Sequence, residues 1–204
     1  MKKILLVAVA VLMTAPLFAE KMSLIQGTYL STQRIIQAPS GEKLTETIGQ
    51  FGINTTNFSG DGFGFYSTAT LLYPTNYKIS FNGESATATF SELGYSGLRL
   101  GMDMLMGVGI HAPLSSSFSI LAGAGLHFNG LIFFSDNSNY LSYCLGPGAS
   151  LNALLHLTPT MNFNIGALAA WDVWEFIHLP TSGYDVTYKG GITWAISVGI
   201  GIKY

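Results

Sequence analysis

The sequence predicts an all-β chain that forms an eight-stranded antiparallel up-and-down transmembrane β-barrel after an N-terminal signal peptide. Three observations favour this fold. First, the last segment, residues 191–204, has one apolar face and one face of small and polar residues. Second, the same separation of faces recurs in segments upstream. Third, short and long connections alternate along the chain. The alternate apolar positions of the last segment are Ile192, Trp194, Ile196, Val198, Ile200, Ile202 and Tyr204. Successive side chains of a strand point to opposite faces, so this pattern fits hydrocarbon on one side and a narrow lumen on the other.

The N-terminus has the pattern of a secretory signal. Lys2 and Lys3 precede an apolar run over residues 4–13, and Pro16 then ends the helix that such a run forms. Ala19 offers a small residue just before a cleavage point. We therefore expect residues 1–19 to be a signal peptide and residues 20–204 to form one barrel domain, exported to the bacterial outer membrane.

Composition excludes several other classes of protein. Charged residues make up 10% of the chain, against roughly 25% in ordinary soluble domains, and the net charge is −2. No basic cluster is interleaved with aromatic residues, so a nucleic-acid partner is not expected. A single cysteine, Cys144, excludes an internal disulfide framework and is expected to be a small buried hydrophobe.

The first three strands are predicted over residues 22–36, 48–58 and 63–73. The first contains apolar residues on both faces, which leaves its register open. The second alternates apolar with small or polar residues, and a turn at Gly60 and Gly62 leads into the third. Residues 37–46 are predicted to be a loop, and residues 74–95 to be the longest linker. Strand-like alternation over residues 78–90 suggests that part of this linker extends the barrel as a hairpin.

The fourth strand, residues 98–110, has the clearest separation of faces after the last one. Its inner set contains Arg99 and Asp103, and each of these charges would cost roughly 2–4 kcal/mol if it faced lipid near the midplane. The fifth strand, residues 118–128, places Ser119 and His127 on the inner face. The charged and polar residues on the inner faces of these two strands therefore predict a polar interior.

The sixth and seventh strands are predicted over residues 143–157 and 161–174, with polar loops over residues 135–139 and 175–190. Pro147 cannot donate a ladder hydrogen bond, so a local bulge is expected there. The short turns, near Gly60, Pro113 and Pro159, lie at the same end as both termini. Outer-membrane barrels have short periplasmic turns and long extracellular loops, which matches this alternation.

The predicted inner face mixes charges, glycines and leucines. The lumen-lining candidates are Arg99, Asp103, Leu105, Leu121, His127, Leu154, Leu168, Asp172 and Lys203. The four charges among Arg99, Asp103, Asp172 and Lys203 fit either a selective polar conduit or a buried ion-pair network that plugs an interior just wide enough for side chains. The many inner glycines fit either a small, partly apolar cavity or tight coiling of a narrow barrel.

Aromatic residues are predicted at the membrane interface. Trp194 and Tyr204 stand near the two ends of the last strand, and Trp171 takes a similar place on the seventh. An amphipathic ring favours the headgroup region. The separation of Trp194 and Tyr204 is close to the roughly nine to eleven residues that a tilted strand needs to cross a bilayer.

With these features, residues 20–204 resemble the small eight-stranded outer-membrane barrels, which include the OmpA transmembrane domain, OmpX and the outer membrane protein W family. The most specific element is the final run, residues 200–204, which is similar to the C-terminal signature with a last aromatic residue, although Tyr204 stands where Phe is usual. The resemblance implies contact with outer-membrane lipid, recognition of the last strand by the barrel-assembly machinery, and a lumen able to admit a small hydrophobic solute.

No enzymatic arrangement is evident in the sequence. His127 and Ser119 lie too far apart on one strand to act together, and His178, Ser182 and Asp185 share a loop without defined geometry. The four histidines lack metal-ligand spacing, and no cofactor is expected. The leading hypothesis is a non-enzymatic narrow channel or binding site for small solutes, hydrophobic ones included. The alternative is a structural or surface-interaction barrel that acts through its extracellular loops.

Overall fold

The computed structural model describes residues 22–37, 40–92, 97–134, 139–178 and 187–203. These residues form ten strands: β1 Met22–Gln37, β2 Lys43–Asp61, β3 Phe63–Phe81, β4 Glu84–Ala88, β5 Arg99–Pro113, β6 Phe118–Phe134, β7 Asn139–His156, β8 Met161–Asp172, β9 Trp174–His178 and β10 Thr187–Lys203. Within these ranges no helix is long and apolar enough to cross a membrane. The predicted signal peptide and Tyr204 lie outside the described residues, so both stay predictions.

Eight of the strands form a closed wall. They pair antiparallel in the order β1, β2, β3, β5, β6, β7, β8 and β10, and β10 returns to pair with β1. The closing pair runs from Met22 opposite Lys203 to Gln37 opposite Thr187. The prediction of an eight-stranded antiparallel barrel is therefore confirmed.

The two faces of the wall differ as the alternation predicts. On the outside, Ile196 is 57% exposed and Ile165 is 59% exposed. On the inside, Leu105 and Thr193 are fully buried. Successive side chains along each strand thus point alternately to an apolar outer belt and to a packed interior.

The two ends of the barrel are built differently. At one end, which we call the turn end, tight connections at Gly62, residues 114–117 and residues 157–160 lie beside Met22 and Lys203. At the other, the hairpin end, the strands extend further than predicted.

The predicted loop over residues 37–46 is wrong for Gln37, which ends β1, and for residues 43–46, which pair with β1. The predicted loop over residues 175–190 is wrong for residues 175–178 and 187–190, which are strand. The linker predicted over residues 74–95 continues β3 to Phe81 and turns at Asn82 and Gly83 into β4, so the hairpin extension is present. Both central residues of this turn have positive φ, as a two-residue hairpin turn requires.

The wall divides toward the hairpin end. Pairing of β3 with β5 ends at Leu72 opposite Gly101, and beyond it β3 pairs with β4. On the other side, β7 pairs with β8 up to Gly148 opposite Ala170 and resumes with β9 at Leu145 opposite Trp174. Between these paired positions β7 has two residues, one of them Pro147, and the opposite chain has three, residues 171–173. This difference of one residue is a β-bulge.

Candidate functional site

The interior of the barrel is the candidate site, and side chains fill it at successive levels. At the turn end a hydrophobic cluster occupies the space between the strands. Its buried members are Met22, Leu24, Phe58, Tyr66, Leu105, Leu121 and Leu154, with Leu168 packed against them. The predicted lining leucines thus contact one another and the opposite wall, so they fill space that a cavity would need.

A hydrogen-bonded amide network lies next to this cluster. Gln26 Nε2 donates to Asn152 Oδ1 at 3.0 Å and to Asn164 Oδ1 at 2.7 Å. Asn54 Nδ2 donates to Gln26 Oε1 at 2.8 Å. One buried glutamine on β1 therefore connects β2, β7 and β8.

Tyr66 occupies the room that the inner glycines leave. Its hydroxyl donates to Ser150 Oγ at 2.8 Å across the lumen, from β3 to β7. A Cβ added to Gly123 would lie 2.2 Å from the Tyr66 ring, and one added to Gly109 would lie 2.9 Å from Tyr66 Cβ. These glycines accommodate a crossing aromatic side chain, and the volume they provide is occupied.

Further toward the hairpin end lies a closed circuit of polar side chains, which we call the six-residue ring. Its members are Thr32, Asp103, His127, Asn129, Asp172 and Thr193. Each is 0% or 1% exposed. Their contacts run from Asp103 to His127 at 2.6 Å, His127 to Asp172 at 3.0 Å, Asp172 to Thr193 at 2.6 Å, Thr193 to Thr32 at 3.3 Å, Thr32 to Asn129 at 3.5 Å and Asn129 to Asp103 at 3.2 Å.

The six-residue ring spans the full width of the lumen. Thr32 is on β1 and Asn129 is on β6, and four steps around the eight-stranded wall separate these strands in either direction. Their side chains nevertheless meet at 3.5 Å. The ring therefore closes the interior as a transverse plug.

The geometry of the plug fits a charged histidine. Nε2 of His127 faces Asp103 Oδ2, and Nδ1 faces Asp172 Oδ1. Only an imidazolium carries two N–H donors, and ionised carboxylates can only accept. Threonine and asparagine donors then satisfy the remaining carboxylate oxygen of Asp172 and assist Asp103.

A second buried ion pair lies beyond the plug. Arg34 Nε on β1 is 2.9 Å from Glu175 Oε1 on β9, and both side chains are fully buried. On the same side, the Tyr77 hydroxyl donates to Glu46 Oε1 at 2.5 Å, and Glu46 is opposite Arg34 in the β1–β2 register. The Arg34–Glu175 pair therefore connects β1 with β9 through buried side chains.

An aromatic lid completes the filling at the hairpin end. Phe90 is 1% exposed and packs in a cup formed by Ile48, Tyr77, Leu131 and Phe133. The turn that carries it is closed by Glu92, which accepts hydrogen bonds from the backbone N–H and the hydroxyl of Thr89. These hydrogen bonds, the backbone one first, lower the pKa of the Glu92 carboxyl.

The predicted lining residues fall into three groups. Asp103, His127 and Asp172 meet in the six-residue ring, and Leu105, Leu121, Leu154 and Leu168 pack in the clusters. Arg99 is half-buried at the hairpin end beside Tyr73, where Nη2 donates to the Tyr73 hydroxyl at 2.5 Å. Lys203 is exposed at the turn end. Lys203 therefore lies apart from the other three predicted inner charges. Of the four, only Asp103 and Asp172 belong to one network.

Among the interface aromatics, Trp171 is 63% exposed and Trp194 is 42% exposed, both on the outer face. The Trp194 ring lies 5.6 Å from the Tyr29 ring, centroid to centroid. Their place at the headgroup level stays a prediction. In the described part of the chain, no group of three or more His, Cys, Asp or Glu side chains is arranged to hold a metal ion.

Sequence reasoning missed Arg34, Glu175 and the threonines of the ring. Arg34 lies on the strand whose register was open, and Glu175 lies in the segment predicted to be a loop. A signal for Arg34 does exist, because Gln26, Thr32 and Arg34 share one parity of β1. The free-energy cost of exposing a charged side chain to lipid, which predicts that Arg99 and Asp103 face inward, applies equally to Arg34.

No protein-family model matches the sequence, and no curated protein matches it significantly. Among solved structures, the outer membrane protein OprG from Pseudomonas aeruginosa matches with a TM-score of 0.54 and 15% identity, over 91% of this chain and 96% of OprG. The chain has the fold of a small eight-stranded outer-membrane barrel.

The outer membrane protein AlkL, solved by solid-state NMR in DMPC lipid bilayers, also matches this barrel. Its TM-score is 0.52 at 11% identity, over 90% of this chain and 89% of AlkL. Identities this low establish the barrel fold alone, since one fold supports many functions.

Proposed function

We propose that this chain is a non-enzymatic barrel of the bacterial outer membrane whose lumen is closed and whose hairpin end acts as a surface for interaction. The six-residue ring is the observation that carries the proposal. It spans the lumen, its members are almost fully buried, and hydrophobic clusters fill the space on both sides. An open conduit requires a continuous path that these contacts occupy.

The outer face supports a place in the membrane. Large apolar side chains such as Ile53, Ile110 and Ile200 are more than half exposed around the wall. Exposed apolar area of this extent is costly in water and favourable in hydrocarbon. With the predicted signal peptide and C-terminal signature, this belt supports outer-membrane lipid and the barrel-assembly machinery as partners.

The length of the strands supports a surface role. β2 and β3 each contain 19 residues, and a tilted strand crosses a bilayer with roughly nine to eleven. The excess, together with β4, projects at the hairpin end, and residues 82–87 are all exposed. A rigid, paired extension of this kind presents a defined surface at lower entropy cost than a flexible loop.

The histidine–serine contact in the barrel supports a role without catalysis. His111 Nε2 lies 3.0 Å from Ser119 Oγ, which is the spacing of a base and a nucleophile. Ser119 is fully buried, however, so its hydroxyl faces packed side chains and offers no approach to a substrate.

Conductance in planar lipid bilayers tests the closed lumen. We expect the wild-type protein to give no reproducible conductance steps, because the ring and the two clusters occupy the lumen. Reproducible steps from the wild-type barrel would overturn the proposal. An epitope inserted between Asn82 and Gly83 should be detected by antibody on intact cells, and detection only after lysis would place the hairpin end on the wrong side.

A second candidate, the binding of a small apolar solute from the lipid side, is favoured by a groove beside the bulge. The groove lies on the outer wall between Pro147, Ala149, Ala169, Trp171 and Ile192. Quenching of Trp171 fluorescence by a brominated alkane in vesicles, measured in a variant with the other tryptophans replaced, would support it. An Ala149→Leu substitution, at an exposed outer-face position that lines the groove, adds bulk there and should then abolish the quenching.

A further inference from the structure

We infer that the hairpin end contains a binding site for a small aromatic carboxylate, and that the Phe90 side chain fills this site in the unliganded protein. The site is separate from the six-residue ring and does not depend on the function proposed above. Among the described residues from 82 to 98, Phe90 is the one that is buried. After the backbone pairing of β4 with β3 ends at Ala88, Phe90 is the one buried side chain of residues 89–92.

The cup has the shape of one six-membered ring. Ile48 and Leu131 are 1% and 0% exposed, and Phe133 is 3% exposed. The Phe90 ring centroid lies 4.8 Å from that of Phe133, at a tilt of 54°, and 6.1 Å from that of Tyr77, edge to face. These are the separations that aromatic pairs favour, so the cup recognises a planar ring.

Arg99 supplies the selectivity for an anion. Its Cζ atom lies 5.4 Å from the centre of the Phe90 ring and 5.0 Å from that of Tyr73. Nη2 is hydrogen-bonded to the Tyr73 hydroxyl, but Nε is buried and has no hydrogen-bond partner among the residues that the structure describes. A buried donor without an acceptor is unfavourable, and a carboxylate at this position would satisfy it with a charge-assisted bond.

Exchange of Phe90 for a ligand ring requires little rearrangement. The turn over residues 89–92 is held by the Thr89–Glu92 hydrogen bonds, which do not involve the Phe90 side chain. Replacement of one buried ring by another leaves the apolar burial in the cup unchanged. The contact between the carboxylate and Arg99 is then the difference that favours the ligand.

The test uses 4-fluorobenzoate as the probe and fluorine NMR of the folded barrel in detergent micelles. Phe90→Ala should lower the Kd of the probe by about tenfold or more, since it removes the internal competitor. Phe81→Ala is the matched control, because Phe81 belongs to the same hairpin but is exposed, and its Kd should equal that of the wild type. Phe90→Leu serves where the alanine variant is not folded, as judged by its heat-modifiable migration on gels.

Arg99→Gln in the Phe90→Ala background distinguishes the site from partition into micelles. It should weaken 4-fluorobenzoate binding by about tenfold or more, the loss expected for one charge-assisted hydrogen bond, and leave neutral 4-fluorotoluene unaffected. Equal Kd values for wild type and Phe90→Ala would overturn the inference. So would a carboxylate affinity that does not respond to Arg99.

Discussion

The aromatic ring of Tyr66 on β3 lies directly over the backbone of Gly123 on β6, and a Cβ at Gly123 would meet Tyr66 Cδ1 at 2.2 Å. Gly123→Ala must therefore displace a fully buried tyrosine from its hydrogen bond with Ser150. We expect a loss of about 1–3 kcal/mol in the free energy of unfolding, as for other overpacked interiors. Urea titration in lipid vesicles, followed by tryptophan fluorescence, measures it.

Gly27→Ala is the control for this substitution. A Cβ at Gly27 meets nothing closer than the Val198 carbonyl oxygen at 3.9 Å. Its effect should fall within about 0.5 kcal/mol of zero. Equal losses at both glycines would show that the Tyr66 contact is not the cause.

The six-residue ring should be sensitive to the loss of one charge. Asp172→Asn retains the shape of the side chain but leaves the His127 imidazolium with one ionised partner, so we expect a loss of about 3–5 kcal/mol in the free energy of unfolding. Glu84→Gln, at an exposed position of the hairpin end, should change it little. A stable Asp172→Asn barrel would indicate that His127 is neutral.

The Arg34–Glu175 pair is suited to a double-mutant cycle. Arg34→Leu and Glu175→Leu should each cost about 3–5 kcal/mol, because each leaves a buried partner without its counter-ion. The double variant should cost clearly less than the sum of the two single changes. Additive losses in urea titrations would mean that the two side chains do not interact in the membrane.

The depth of the outer belt can be measured on β10 alone. Ile196→Lys should cost about 2–4 kcal/mol because the position lies near the middle of the belt, and Ile202→Lys, near the turn end, about 0–1 kcal/mol. Both isoleucines are outward and similarly exposed, at 57% and 46%, so depth is the main difference between them. The reverse order of costs would contradict the assigned membrane position.

The alternation of faces predicted the wall because the period of a strand is two and lipid tolerates few polar side chains. This rule predicts that Arg99 and Asp103 share one inner face. Their different surroundings could not be predicted, since height along the barrel depends on the tilt and stagger of the strands. Arg99 lies at the hairpin end beside Tyr73, while Asp103 lies in the plug.

The contacts that form the plug could not be predicted from the sequence for a related reason. The contact between Thr32 and Asn129 joins residues 97 apart in the chain on opposite walls. Local periodicity carries no information on which inner side chains meet across a lumen. Glu175 was missed because a bulge beside Pro147 interrupts the alternation that identifies a strand.

The pairing of β1 with β10 has a consequence for how the molecule matures. The Thr193–Thr32 hydrogen bond joins residues 161 apart, and the wall cannot close until the last strand is available. Contacts of such long sequence separation slow folding, because a large loop entropy is lost before any of them forms. Newly exported chains should therefore accumulate as an open sheet that proteases can cleave. Both β1 and β10 should become resistant to proteolysis in a single late step, when they pair.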